Sequence, residues 1–164
     1  MSPSPQRLPP FEQVVDQHGP AVLRFCAAQA GSARAEDCFQ DTMLAALRAY
    51  ESVRDPAAVR SWLFSIAARK ATDAHRVRAR EPEPIAEPEL VATGVDGSDV
   101  FDDGIWRLVG SLPDKQRIAV GLRYLGDLSH AEIAEVMATS VEAARRNVFE
   151  GLRRLRMQLA PARR

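Results

Sequence analysis

Residues Leu112–Arg156 read LPDKQRIAVGLRYLGDLSHAEIAEVMATSVEAARRNVFEGLRRLR and hold the strongest pattern in the chain. Ser129 precedes Glu132 by three residues, the spacing of a capping box at a helix start. Ile133, Ala134, Val136 and Met137 give the short helix that follows an apolar side. Ala138-Thr139-Ser140 is the length of a tight turn. A second helix is expected from Val141, with Val141, Ala144, Val148, Leu152 and Leu155 spaced by threes and fours. Its other face carries Glu142, Arg145, Arg146, Arg153 and Arg156. Two short helices around a tight turn, the second basic, form a helix–turn–helix of the kind that enters the DNA major groove. The competing reading is a helical hairpin with a solvated charged face. Ala138 stands where such turns favour glycine, because a left-handed backbone costs alanine about 1 kcal/mol.

Working outward, 164 residues suffice for one or two small domains, and 46% hydrophobic content suffices for a core. Alternating strand patterns are missing, so the expected class is all-α, as two small helical domains. Lys and Arg number 22, as do Asp and Glu, giving zero net charge. Eight of the acids lie between Glu81 and Asp103 with no Lys or Arg among them, so the remainder holds 22 basic against 14 acidic residues. A neutral total thus hides basic faces and one acidic strap. No apolar run has signal-peptide or membrane-span length, so a cytoplasmic chain without a membrane partner is expected. Cys26 and Cys38 are too few for a disulfide framework or a zinc site and read as buried apolar residues.

Residues 1–10, with four prolines, are expected to be disordered or extended. A domain over 11–80 begins with helical pattern at Phe11. Gly19-Pro20 predicts a break, with helix resuming to Ala30 and Ser32 capping the next. Ala33–Tyr50 predicts a helix whose Asp37, Gln40, Asp41 and Leu44 share one face. Acids early in a helix complement its dipole, and they also suit docking to a basic partner helix. Glu51–Asp55 is a polar loop, and Asp55-Pro56 predicts a helix start. The long helix that follows buries Trp62, Leu63, Ile66, Ala67 and Ala74 and turns basic through Arg69, Lys70, Arg76, Arg78 and Arg80. Residues 81–99 read as an acidic, proline-rich tether, able to lie on a basic face but expected simply to be solvated. A second domain is expected over 100–158. Ile105, Trp106, Leu108, Val109 and Leu112 form an apolar cluster, a helix spans 114–125, and 159–164 is a short basic tail.

In order and spacing, these pieces resemble the extracytoplasmic-function sigma factors of bacterial RNA polymerase. The resemblance is carried by Ala35-Glu36-Asp37 with Gln40, Trp62-Leu63, Ile66-Ala67, Asp73 and Arg76 in the first half. In the second half it is carried by Leu112-Pro113, Gln116-Arg117, Leu122–Leu125, Leu128-Ser129, Glu132-Ile133-Ala134 and Leu152–Arg156. It implies sigma domain 2 over 11–80 and sigma domain 4 over 100–158. It implies that Asp37, Gln40, Asp41 and Leu44 dock on the clamp helices of the polymerase largest subunit, that the flap is a second polymerase contact, and that an anti-sigma factor is a possible partner. Promoter DNA would be met twice: at the –10 element by Arg54, Arg69, Lys70, Asp73 and Arg76, with Tyr50–Asp55 as the base-capturing loop, and at the –35 element by Ser140, Glu142, Ala143, Arg145, Arg146 and Asn147. The chain departs from the family where Lys70 replaces a usual asparagine. It departs again where Glu142–Asn147 replaces Gly-Thr-Val-Lys-Ser-Arg, and where Glu150 replaces a common arginine. The two glutamates add negative charge beside a phosphate backbone and should lower non-specific affinity.

The resemblance implies no cofactor, metal or catalytic site. His18, His75 and His130 lie on separate expected elements, and no phosphate-cradling glycine loop occurs. A sigma-like regulator that binds DNA or polymerase without starting transcription is the alternative, motivated by the altered second helix.

Overall fold

The structure, a computed structural model, describes residues 6–80 and 103–160. The expectations for the tether, for residues 1–5 and for most of the basic tail lie outside the described residues. Among the described residues there are seven α-helices and no strand.

Helix α1 runs unbroken from Phe11 to Ala30 with Pro20 inside it, so the expected break at Gly19-Pro20 does not form. Pro20 is exposed, which leaves the carbonyl four residues earlier on the solvent side. The opposite side is held by burial of Val14, Val22, Phe25 and Cys26, and Gly19 lies against Phe39. Burying such side chains stabilises by about 1.5–3 kcal/mol each, enough to carry a helix across one lost hydrogen bond. Gly31 ends α1 at φ 89°, a backbone that favours glycine. Ser32 does not cap the next helix. It opens a short 3-10 turn, Ser32–Arg34, and α2 follows as Ala35–Ala49.

Residues just before α1 are held rather than loose. Leu8 packs against the core, and the Tyr50 hydroxyl donates to the Pro9 carbonyl. Tyr50 also sits edge-on to Phe11 and near Trp62. Asp55 caps as expected, accepting from the Ala57 amide at 2.9 Å with Pro56 next, but a 3-10 turn intervenes before α3, Val59–Arg80. Helix α3 buries Leu63, Phe64, Ile66, Ala67, Ala68 and Ala71. It packs with α1 and α2 as a three-helix unit.

The second half comprises α4 (Asp103–Gly110), α5 (Asp114–Tyr124), α6 (His130–Met137) and α7 (Val141–Leu159). Val109 and Leu112 are buried with Val120 and Leu155, and Trp106 and Leu108 pack on them. The two halves are also packed on each other. Helix α1 lies against α4 and α5, and α3 against α6. A single apolar cluster includes Phe25, Leu63, Phe64 and Ala67 from one half and Leu122, Leu128, Ile133 and Val148 from the other.

Candidate nucleic-acid interface

The α6–α7 pair is set by its caps. Ser129 accepts from the Glu132 amide at 3.1 Å, and Glu132 Oε1 accepts from the Ser129 amide at 3.0 Å, a complete capping box. Ile133 and Ala134 are buried, and Ala138 turns the chain with a left-handed backbone at φ 52°. Ser140 then accepts from the Ala143 amide at 3.1 Å to start α7, so this hydroxyl serves the helix. Ala144, Val148, Gly151 and Leu155 form the buried stripe of α7.

The six residues expected to read DNA divide between two faces. Ser140, Glu142, Arg145 and Arg146 are exposed. Ala143 and Asn147 are half-buried and, together with the exposed Arg146, line a cleft of about 720 Å³ between α7 and α3. Arg145 has cationic neighbours. Burial first, then the charges of Arg123 and Arg145, hold His130 below the ordinary imidazole range. Positive potential therefore gathers at the start of α6, where the helix dipole adds to it.

Across the cleft, α3 contributes Arg69, Asp73 and Arg76. Lys70 is turned elsewhere: it lines a hollow of about 340 Å³ between α2 and α3, together with Asp37, Asp41 and Asp73. Arg54 is exposed on the segment before α3. Asp73 thus borders both concavities. Lys115 and Glu150 also line the cleft, and Gln116 Nε2 donates to Glu150 Oε2 at 3.3 Å.

On α2, Asp37, Gln40, Asp41 and Leu44 are all exposed, and Leu47, 54% exposed, extends that face. The opposite side buries Cys38, Thr42 and Ala46, with the Thr42 hydroxyl donating to the Cys38 carbonyl at 2.7 Å. Cys26 and Cys38 are buried free thiols. A hydrogen bond between them pushes Cys26 up and pulls Cys38 down, and burial raises Cys26 further.

Local sequence pattern assigns no role to Gln29, Arg117 or Gly121. All three are buried where the halves meet. Arg117 was visible only as part of a motif, because its partner lies 88 residues away. Local periodicity cannot report such a pairing.

Comparison with known proteins places both halves. Residues 14–81 match the family model "Sigma-70 region 2", and residues 103–155 match "Sigma-70, region 4". The chain is 29% identical to the ECF RNA polymerase sigma factor SigD of Mycobacterium tuberculosis, over 93% of this chain and 78% of that protein. It is 26% identical to the ECF RNA polymerase sigma factor SigW of Bacillus subtilis, over 91% of this chain and 88% of that protein. Among solved structures it is similar to CnrH in complex with the cytosolic domain of CnrY. That match has a TM-score of 0.66 and 25% identity, over 91% of this chain and 86% of the other. The sigma factor RpoE of Bartonella quintana, in a co-crystal with the anti-sigma factor NepR, shares the fold. Its TM-score is 0.72 at 22% identity, over 93% of this chain and 98% of that one.

Proposed function

The chain belongs to the sigma-70 family, as an extracytoplasmic-function sigma factor that binds RNA polymerase and directs transcription initiation, and from that premise we propose how its parts divide the work. Helix α2 docks on the clamp helices of the polymerase largest subunit through Asp37, Gln40, Asp41 and Leu44. Carboxylates set against arginines give charge-assisted hydrogen bonds, and Leu44 and Leu47 add exposed apolar area beside them. The 11–80 half then handles the –10 element. Arg54, Arg69 and Arg76 hold backbone phosphates, as a protein that keeps bases unstacked must do. Lys70, set among Asp37, Asp41 and Asp73, acts at the border between the polymerase and DNA surfaces.

The 100–158 half reads the –35 element as duplex through α7. Arg145 and Arg146 are the residues able to pair bidentately with guanine, at about 1–3 kcal/mol per good contact. Asn147 suits adenine by the same geometry. Ser140 fixes the start of α7, and Ala143 sets its close approach to a base edge. Glu142 restrains non-specific binding by repelling phosphate. The observation that best supports this reading is the doubly capped helix–turn–helix with Arg145 exposed beside Arg123 and His130.

No catalytic step and no cofactor belong to this reading, and its place of action is the cytoplasm, where the polymerase works. No described helix is long and apolar enough to cross a membrane. An anti-sigma factor is proposed as a further partner, by extension from the Bartonella co-crystal.

The test is transcription in vitro with bacterial core polymerase and a pool of promoter fragments, followed by sequencing of transcript ends. Start sites sharing two motifs at one spacing are expected. Arg145→Ala and Arg146→Ala should relax the upstream motif while leaving the downstream one intact. Core binding without transcripts would favour the regulator that does not initiate.

A further inference from the structure

We propose that Leu8–Pro10 is a positioning strap for promoter opening: it sets Tyr50, the first residue of the base-capturing loop, from a segment 41 residues earlier in the chain. The strap rests on the –10 role proposed for the 11–80 half and adds to it a part that no motif carries.

The strap is stiff before it touches anything. Pro9 and Pro10 each fix φ at about –65°, and each pushes the residue before it into extended backbone. Leu8-Pro9-Pro10 is therefore held extended at little further cost in chain entropy. Pro10 has φ –53° and ψ 142°, and its carbonyl accepts from the Gln13 amide at 2.9 Å, which joins the strap to the first turn of α1. The Pro9 carbonyl lies one residue too early to serve that turn. Tyr50 takes it instead, its hydroxyl donating to this oxygen. Leu8 is half-buried against the core and fixes the other end of the strap.

Tyr50 is thus held from three sides. Its ring lies edge-on to Phe11, with centroids 5.2 Å apart at 61°, and stands 6.1 Å from Trp62 at 44°. Phe11 opens α1, and Trp62 lies in the first turn of α3. Ring packing of this kind is weakly directional, whereas a hydrogen bond fixes where the phenol ends. Tyr50 also opens the 3-10 turn Tyr50–Ser52, and its carbonyl accepts from the Val53 amide at 3.1 Å. Val53 is buried, and Asp55 caps the next turn through the Ala57 amide. The far end of the loop is therefore anchored by its own residues, and the near end by Tyr50. Between these anchors Glu51, Ser52 and Arg54 are exposed. A loop that receives an unstacked base gains from being placed beforehand, because order imposed at the moment of capture subtracts from binding.

The experiment uses the full chain with core polymerase and a promoter found by the transcription test. Tyr50→Phe keeps both ring contacts and removes only the hydroxyl. Leu8→Asp releases the strap at its other end with Tyr50 intact, and serves if the first variant fails to fold. Helicity and core binding are measured first. Opening is then read as permanganate reactivity of unpaired thymines at the downstream motif, on the best motif and on versions with one base changed. Each variant should bind core as the wild type does and open the best motif about fivefold less, as loss of one hydrogen bond implies. Because both act on one link, the double variant should lose no more than either alone. The preference for the best motif over its one-base changes should also shrink, since a displaced loop loses the matched base most. Unchanged opening in both variants would overturn the strap. So would a loss that falls on core binding as well, or equally on every downstream sequence, because support of the fold alone acts that way. Arg54→Ala and Arg76→Ala separate the strap from the reading it rests on. If they lose opening while Tyr50→Phe and Leu8→Asp keep it, the strap alone falls; if none of the four loses it, the –10 assignment falls with the strap.

Discussion

Ala138 holds φ 52° and ψ 50° at the turn between α6 and α7, a backbone that glycine adopts without the clash a Cβ brings. The Ala138 amide contacts the carbonyls of Ala134 and Glu135, so the turn is fixed by its own hydrogen bonds. Ala138→Gly should therefore stabilise the second half by about 1 kcal/mol without moving α7, read as a higher denaturant midpoint at constant slope. An unchanged or lower midpoint would mean that the strain is already relaxed. His18 gives a pH signal of definite sign. Burial first, then the charge of Arg60, holds its imidazole below the ordinary value. The fold therefore disfavours the protonated ring, while the unfolded chain takes up a proton at about pH 6.5. The stability this ring supports is complete above that pH and is lost as pH falls through it toward the lower folded value. His18→Gln should flatten the stability profile between about pH 7.5 and 5.5 relative to the wild type. Superimposable profiles would remove His18 as the cause.

At the level of elements, amphipathic spacing made α2, α3, α6 and α7 legible, because each buries a stripe that recurs every three or four residues. Cys38, Thr42 and Ala46 lie under α2 while Asp37, Gln40, Asp41 and Leu44 lie over it. The doubly capped turn was legible because Ser129 with Glu132, and Ser140, act on neighbours within three residues. The continuity of α1 through Pro20 was not legible, since the local rule for proline was outweighed by packing against helices distant in sequence. The same limit hid the turn of Lys70 toward Asp37 and Asp41, away from the cleft that Arg69 and Arg76 line. For α2, Asp37→Ala combined with Gln40→Ala should weaken core-polymerase binding tenfold or more, as loss of about 1.5–3 kcal/mol of charge-assisted bonding implies. Helicity by circular dichroism should stay unchanged, because neither side chain is buried. Full core affinity in this variant would take both residues out of the interface.

For the molecule as a whole, the two surfaces differ in their access. The α2 face is fully exposed, whereas on α7 Arg145 and Arg146 are exposed and Asn147 is half-buried along the cleft against α3. Neither the apolar cluster shared by Phe64 and Ile133 nor the Gln29–Arg117 pair was visible from sequence, because each joins segments on opposite sides of the acidic stretch. The placement of the two faces on separate helices, α2 and α7, predicts an energetic separation. The α2 substitutions Asp37→Ala and Gln40→Ala should cost core binding the same amount with or without Arg145→Ala. Sites that share no partners couple by no more than about 0.5 kcal/mol. Duplex binding should follow the reverse pattern, responding to Arg145→Ala and ignoring the α2 changes. Titration of core polymerase and of promoter duplex against the four variants of this cycle measures both terms. A coupling well above that limit in core binding would mean that polymerase meets α2 and α7 as one joined surface, and that the division of labour between the two halves does not hold.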